Sequence, residues 1–223
     1  MSTDIQRALV EKKAEAEQMF EIISDIREGT NISNAQTKAA MLRSAFVLLL
    51  YNMVESTALI VFERIHERVA TAPYDLLRSE MRKIWVNYFF SHHGAPDHHL
   101  HLEGTLGQTL RFPLLEDYSK KIKLFSGNLD GRKLNELLGK YGIGVITTPG
   151  REKLVLVKNR RNSVAHGEDM FKEACRDLSD NDLAGLRDAT FSALDEMVAN
   201  VETFLAERRY LAGAQTKDVV APA

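Results

Sequence analysis

The chain has 223 residues, of which 44% are apolar and 27% charged, with a net charge of −2. That length supports one well-buried domain, and the composition excludes wholesale disorder. The absence of net positive charge excludes a protein that coats nucleic acid non-specifically, so any contact with nucleic acid has to be local.

Five prolines and thirteen glycines are too few to turn many short strands, which predicts an all-α fold. Residues 3 to 28 place Ile5, Leu9, Ala16, Phe20, Ile23 and Ile26 on one helical face, and Gly29 stops the pattern. A second, central helix is predicted from about Ala35 to Ala70, closed by Pro73, and a third from Tyr74 to His92. Between Gly94 and Phe112 the periodicity gives way to glycine, histidine and proline, the composition of an exposed loop. A short helix follows over residues 113 to 125. Asn128 and Asp130 precede a helix with Leu134, Leu137, Leu138 and Tyr141 in its stripe, ended by Gly142. GIGVITT reads as a short extended piece.

Thr148 and Pro149 predict the start of a helix that runs to about His166, with Gly167 behind it. The last helix starts at Ser179, spaced from Asp182 as in a capping box, and carries Leu183, Leu186, Leu194, Met197, Val201 and Phe204. The expected organisation is one domain over residues 1–212 and a loose tail over 213–223.

The stretch from Ala45 to Phe62 is nearly long enough to span a bilayer, but Asn52 and Glu55 sit in its middle, which favours a buried helix. The amino terminus lacks the apolar core of a signal peptide, and the lone Cys175 suits a reducing compartment, so a cytoplasmic protein is expected.

The helix that ends at Gly167 holds the chemistry. Its apolar line runs Leu154, Val157, Arg161, Val164 and Ala165, so an arginine interrupts a buried stripe. A guanidinium keeps its charge, and must face a carboxylate, bind a phosphate, or lie at a cleft or interface. Asn162 and His166 are four residues apart, about 40° around a helix, so the amide is placed to orient the imidazole. At an exposed helix end, His166 suits proton transfer.

Arg161-Asn162-Ser163-Val164-Ala165-His166 matches the arginine, polar residue, three variable residues, histidine pattern of HEPN ribonucleases. The chain also resembles one HEPN branch in LLLYNMVEST at 48–57, SGNLDGRKLNELLGKYGI at 126–143 and KNRRNSVAHGEDMF at 158–171. The resemblance implies an up-and-down helical bundle with an added long loop and short helices. It also implies a metal-independent endoribonuclease without cofactors, a toxin or defence effector in which the ribose 2′-hydroxyl attacks the adjacent phosphate. In that family two motifs meet across a two-fold axis, so the resemblance implies a homodimer with a composite site, RNA as substrate and an antitoxin or operon partner protein. Arg161, Asn162 and His166 would be the catalytic set. The competing reading is a non-catalytic HEPN module that binds RNA, nucleotide or a partner protein.

Glu55 in the apolar helix needs a partner, and Tyr51 and Asn52 share its face. Arg161 is the natural counter-ion, whether Glu55 positions the guanidinium or forms a purely structural pair. Arg151, Lys153, Lys158 and Arg160, clustered with Arg161, form either a solvated face or a guide for the phosphate backbone. Among His92, His93, His98, His99 and His101, with Asp97 and Glu103 beside them, no two histidines stand at the four-residue step a helical metal site favours, so a solvated loop and no metal are expected.

Overall fold

The computed structural model describes residues 3–28, 32–91, 111–125 and 127–214. The histidine-rich loop and nearly all of the tail lie outside them. The fold is all-α: among the described residues there are seven α-helices and no strand, and Leu77 and Leu211 form an isolated antiparallel bridge. We number the helices α1 (Asp4–Glu28), α2 (Ile32–Val69), α3 (Ser79–Phe90), α4 (Leu115–Lys121), α5 (Gly131–Lys140), α6 (Leu154–Ala165) and α7 (Asp180–Ala206). Single turns of 3₁₀ helix occupy Tyr74–Leu76 and Arg151–Lys153.

Two compact units can be distinguished. The first comprises Met1–Ala58, Gly127–Leu134 and Ile146–Val198; the second comprises Leu59–Ser126, Asn135–Val145 and Ala199–Ala223. Long helices α2 and α7 contribute to both. Helix α2 has the length and apolarity to cross a membrane, yet over half of that stretch is buried within the protein. In a folded core, such a run is what a helix surrounded by neighbours requires.

In the first unit, Ile5, Leu9, Ala16 and Ile23 of α1 are buried, as are Phe46, Val47, Leu50 and Tyr51 of α2 and Leu183, Leu186, Leu194 and Met197 of α7. Phe20 meets Phe46 with ring centroids 5.7 Å apart, and Arg187 pairs with Glu17 at 2.9 Å while lying over the Phe20 ring. Helix α7 begins with the expected capping box. The Ser179 hydroxyl accepts the Asp182 N–H at 3.2 Å, and the Asp182 carboxylate accepts the Ser179 N–H at 2.8 Å.

The start of α6 differs from its expectation. Thr148 does not cap a helix at Pro149. The N–H and hydroxyl groups of Thr147 and Thr148 all donate to the Glu196 carboxylate instead. Gly150 then takes φ +91, a 3₁₀ turn follows, and α6 starts at Leu154. Burial works against the charge on Glu196, but these donors overrule it and hold its carboxyl down to about 2. A carboxylate remote in sequence outcompeted the local cap because it satisfies four donors at once. GIGVITT likewise forms no strand.

The core of the second unit is aromatic around His66, which is fully buried. Its Nδ1 lies 2.8 Å from the Pro113 carbonyl and its Nε2 lies 2.7 Å from the Tyr141 hydroxyl. A carbonyl only accepts, so Nδ1 carries the proton and Nε2 accepts from Tyr141. The rings of Phe112, Tyr118 and Tyr141 surround the imidazole at 4.9 to 5.7 Å. Burial in this apolar cage, only partly opposed by the Pro113 carbonyl, lowers its pKa to about 4.

Because the folded value lies below the unfolded one, near 6.5, the unfolded chain binds the proton first as pH falls. The contribution of His66 is therefore complete above pH ~6.5 and is lost progressively down to about pH 4, by about 3 kcal/mol in all. Denaturant midpoints measured across this window should fall steeply for the native chain and flatten in His66→Gln. An equally steep fall in the variant would show that other groups govern acid unfolding.

Candidate functional site

Helix α6 carries Arg161 and Asn162, His166 is the residue that caps its C-terminal end, and its anchor is the buried pair Leu154 and Val157. Its end is built as its sequence predicts. Gly167 takes φ +70, which a residue with a Cβ adopts only with strain, and its N–H donates to the Val164 carbonyl at 3.2 Å. The N–H of Glu168 returns to the Ser163 carbonyl at 2.9 Å, and the Ser163 hydroxyl bonds the Asp169 carboxylate. His166 sits at the helix end with an exposed side chain, and its ring makes no hydrogen bond among the described residues.

Arg161 is half-buried and clamped. Its guanidinium lies over the Tyr51 ring, 4.8 Å from the centroid, a cation–π contact worth about 0.5–2 kcal/mol. Nη1 donates to Asn162 Oδ1 at 3.1 Å and, at the longer distance of 3.4 Å, to the Gly127 carbonyl. Gly127 has φ +70, and a Cβ there would stand 3.5 Å from Nη1. The turn thus lays bare backbone against the guanidinium. Arg161 forms no ion pair among the described residues.

The expected pairing of Glu55 with Arg161 is therefore corrected. Glu55 accepts a hydrogen bond from the Tyr51 hydroxyl at 3.2 Å, and it is the Tyr51 ring that meets the guanidinium. Tyr51 reaches Glu55 from one helical turn away, and the same side chain lays its ring against the guanidinium. The hydroxyl also accepts the buried N–H of Leu129 at 3.2 Å. Burial raises Tyr51 to about 12, with the Leu129 N–H pulling the other way and the Glu55 charge adding to the rise. Asn52, grouped with these residues by spacing, has an exposed side chain and takes no part in the clamp.

Tyr51→Phe keeps the ring beneath Arg161 but strands the Leu129 N–H. The expected loss is about 1–3 kcal/mol of stability, read as a shift in the urea midpoint. A shift within measurement error would mean that Leu129 finds another acceptor and that Tyr51 does not hold the turn.

Asn162 is also engaged differently from its expectation. Its side-chain amide does not orient the His166 ring. Nδ2 donates to Asn128 Oδ1 at 2.6 Å, while Oδ1 accepts from Arg161. The main chain alone links the two, with the His166 N–H on the Asn162 carbonyl at 2.9 Å.

The turn that meets the helix is fixed by Asp130, whose side chain is 5% exposed. One carboxylate oxygen caps α5 by accepting the Lys133 N–H at 2.9 Å, and the other pairs with Lys158 at 2.7 Å. Burial opposes the charge on Asp130, but Lys158 and the Lys133 N–H hold its carboxyl below the usual range. Sequence periodicity marked Asp130 only as a helix start. Nothing in the spacing told of Gly127 or Asn128 as neighbours of Arg161, although the SGN turn ahead of a capped helix was the signal available.

Two of the four residues expected to guide a phosphate backbone are occupied within the protein. Lys158 holds Asp130, and Arg160 donates to the Ala174 carbonyl at 2.9 Å and pairs with Asp177. Arg151 and Lys153 make no ion pair among the described residues.

Residues 1–210 match the HEPN_MAE_28990-like HEPN family. The chain is a HEPN protein. No curated protein and no solved structure matches it. The helix α6 of this HEPN protein thus joins a clamped arginine, an amide beside it and an exposed imidazole, all within the first unit. The arginine offers a fixed positive charge and the imidazole a group able to transfer a proton.

Proposed function

We propose that this HEPN protein is a metal-independent endoribonuclease, acting in the cytoplasm as a toxin or defence effector. The observation that carries the reading is the state of Arg161. It is held by an aromatic face, a backbone carbonyl and an amide, with no carboxylate paired to it among the described residues. Its bonds use Nη1, so the side-on edge formed by Nε–H and Nη2–H has no protein acceptor among the described residues. That edge matches two oxygens of a phosphate. A half-buried positive charge held in place in this way is available to an anion from outside.

In this reading a His166 imidazole takes the proton of the ribose 2′-hydroxyl. The 2′-oxygen attacks the neighbouring phosphorus, the bond from phosphorus to the 5′-oxygen breaks, and a second imidazole protonates that leaving oxygen. The products are a 2′,3′-cyclic phosphate and a 5′-hydroxyl. Arg161 holds the charge that builds on the phosphorane oxygens. One imidazole cannot serve both proton transfers in a single step, so a second copy of the chain supplies the other, in a homodimer with a composite site. Arg151 and Lys153 lead the RNA backbone toward α6. The chain needs no cofactor in this scheme, and a neutralising protein encoded beside it suits a toxin.

Incubation of the native chain with single-stranded RNA in the presence of a chelator tests the reading. Cyclic phosphate ends and a dimeric mass in solution are expected. Binding without cleavage would favour a non-catalytic HEPN module, and a strict monomer would leave the mechanism without its second imidazole.

A further inference from the structure

The hydrogen bonds around Arg161 have a direction that reaches one residue further than the family motif. A guanidinium only donates, so the oxygen of the Asn162 amide must be the atom that faces Nη1. The Asn162 nitrogen is then turned toward Asn128, which must present its own oxygen at 2.6 Å. Orientation is thus passed along the chain Arg161, Asn162, Asn128. The last member sits in the turn whose Gly127 carbonyl also touches the guanidinium.

We propose that Asn128 is a positioning residue of the site. Its side-chain oxygen pins the Asn162 amide, and through it holds the Arg161 guanidinium with Nη1 turned to the protein and the Nε–Nη2 edge kept for a phosphate of the RNA. The proposal rests on the ribonuclease reading for its ligand, though not for the hydrogen-bond relay itself. Without Asn128, Asn162 loses the partner that sets its amide orientation, and Arg161 keeps only the Tyr51 ring and one long bond to Gly127. Cation–π contact tolerates rotation of the guanidinium about its own axis, whereas an in-plane hydrogen bond does not. Asn128 is itself exposed, so its replacement need not disturb the core.

The test compares the native chain with Asn128→Ala and Asn128→Asp. An aspartate still accepts from Asn162 Nδ2 but adds negative charge beside the phosphate position. Two readouts are taken: turnover of an end-labelled single-stranded RNA, and the ¹⁵N NMR signals of the Arg161 guanidinium in the absence of RNA. Asn128→Ala is expected to lower kcat by roughly 10–100-fold with a smaller change in KM, the range for loss of a group that orients a site residue. Its Arg161 signals should collapse to those of a freely rotating guanidinium, with the melting temperature unchanged. Asn128→Asp should keep the restrained signals and raise KM by charge repulsion.

Native-like turnover and native-like Arg161 signals in Asn128→Ala would overturn the proposal while leaving the ribonuclease reading in place. Loss of restraint in the aspartate variant as well as in the alanine variant would also overturn it, since the acceptor oxygen is retained there. If the native chain neither binds nor cleaves RNA, the ribonuclease reading fails. The relay is then judged by the NMR signals alone, and restraint lost in alanine but kept in aspartate supports it.

Discussion

His166→Ala is expected to abolish RNA cleavage, with a loss of at least roughly 10²–10⁴-fold, the contribution of one positioned acid or base. In a homodimer with a composite site the substitution removes both proton-transfer groups, which places the loss at the upper end of that range or beyond. Because the side chain is exposed and its ring has no partner among the described residues, folding should be unaffected. Melting temperature and dimer mass should therefore match those of the native chain, which separates a chemical role from a structural one. Arg161→Lys is the companion variant. It keeps the charge but removes the planar fork, and should cost roughly 10²–10³-fold, comparable with the loss of one donor that stabilises transition-state charge. Native rates in His166→Ala would refute the proposed mechanism, whatever the arginine variant does.

Asp130→Ala should give the largest loss of stability, about 3–5 kcal/mol, read from the denaturant midpoint. The residue serves two purposes at once. It caps α5 through the Lys133 N–H, worth about 1 kcal/mol by itself, and it neutralises Lys158, whose side chain is only 19% exposed. Asn is a good cap but no counter-ion, so Asp130→Asn should recover the capping share and retain the rest of the loss. The sign of the pH dependence follows from the lowered pKa of Asp130. Its contribution is complete above the unfolded carboxylate range, near pH 4, and is lost as pH falls through the lower folded value. A loss below 1 kcal/mol in Asp130→Ala would mean that Lys158 reaches solvent freely and that the pair does not hold the turn.

These two expectations concern one structure seen from its two sides. His166 stands at the end of α6 with its side chain exposed. Asp130 ties the turn from Gly127 to Gly131 to the same helix through Lys158, and that turn in turn meets Arg161. A destabilised turn should therefore lower activity as well, although less than removal of the imidazole, because the Tyr51 ring still lies under Arg161.

Much of this was legible in the amino-acid sequence. Periodicity located the helices, because burial imposes the 3.6-residue repeat on any helix against a core. Ser179 with Asp182, Asp130 and Gly167 marked helix ends correctly, since each cap is a contact made within a few residues. The arginine, polar residue and histidine pattern with its flanks led to the HEPN superfamily, because it is local to one helix.

What the sequence could not decide were the partners of charged and polar groups brought together from afar. Thr148 reads as a cap until Glu196, 48 residues later, takes its donors. Glu55 reads as the counter-ion of Arg161 until the Tyr51 ring occupies that place, and Lys158 and Arg160 read as free cations until Asp130 and Asp177 claim them. Short-range geometry follows from backbone stereochemistry and is written into neighbouring residues. A hydrogen bond or ion pair across the fold depends on which groups arrive at the same point in space, and only the tertiary structure determines that.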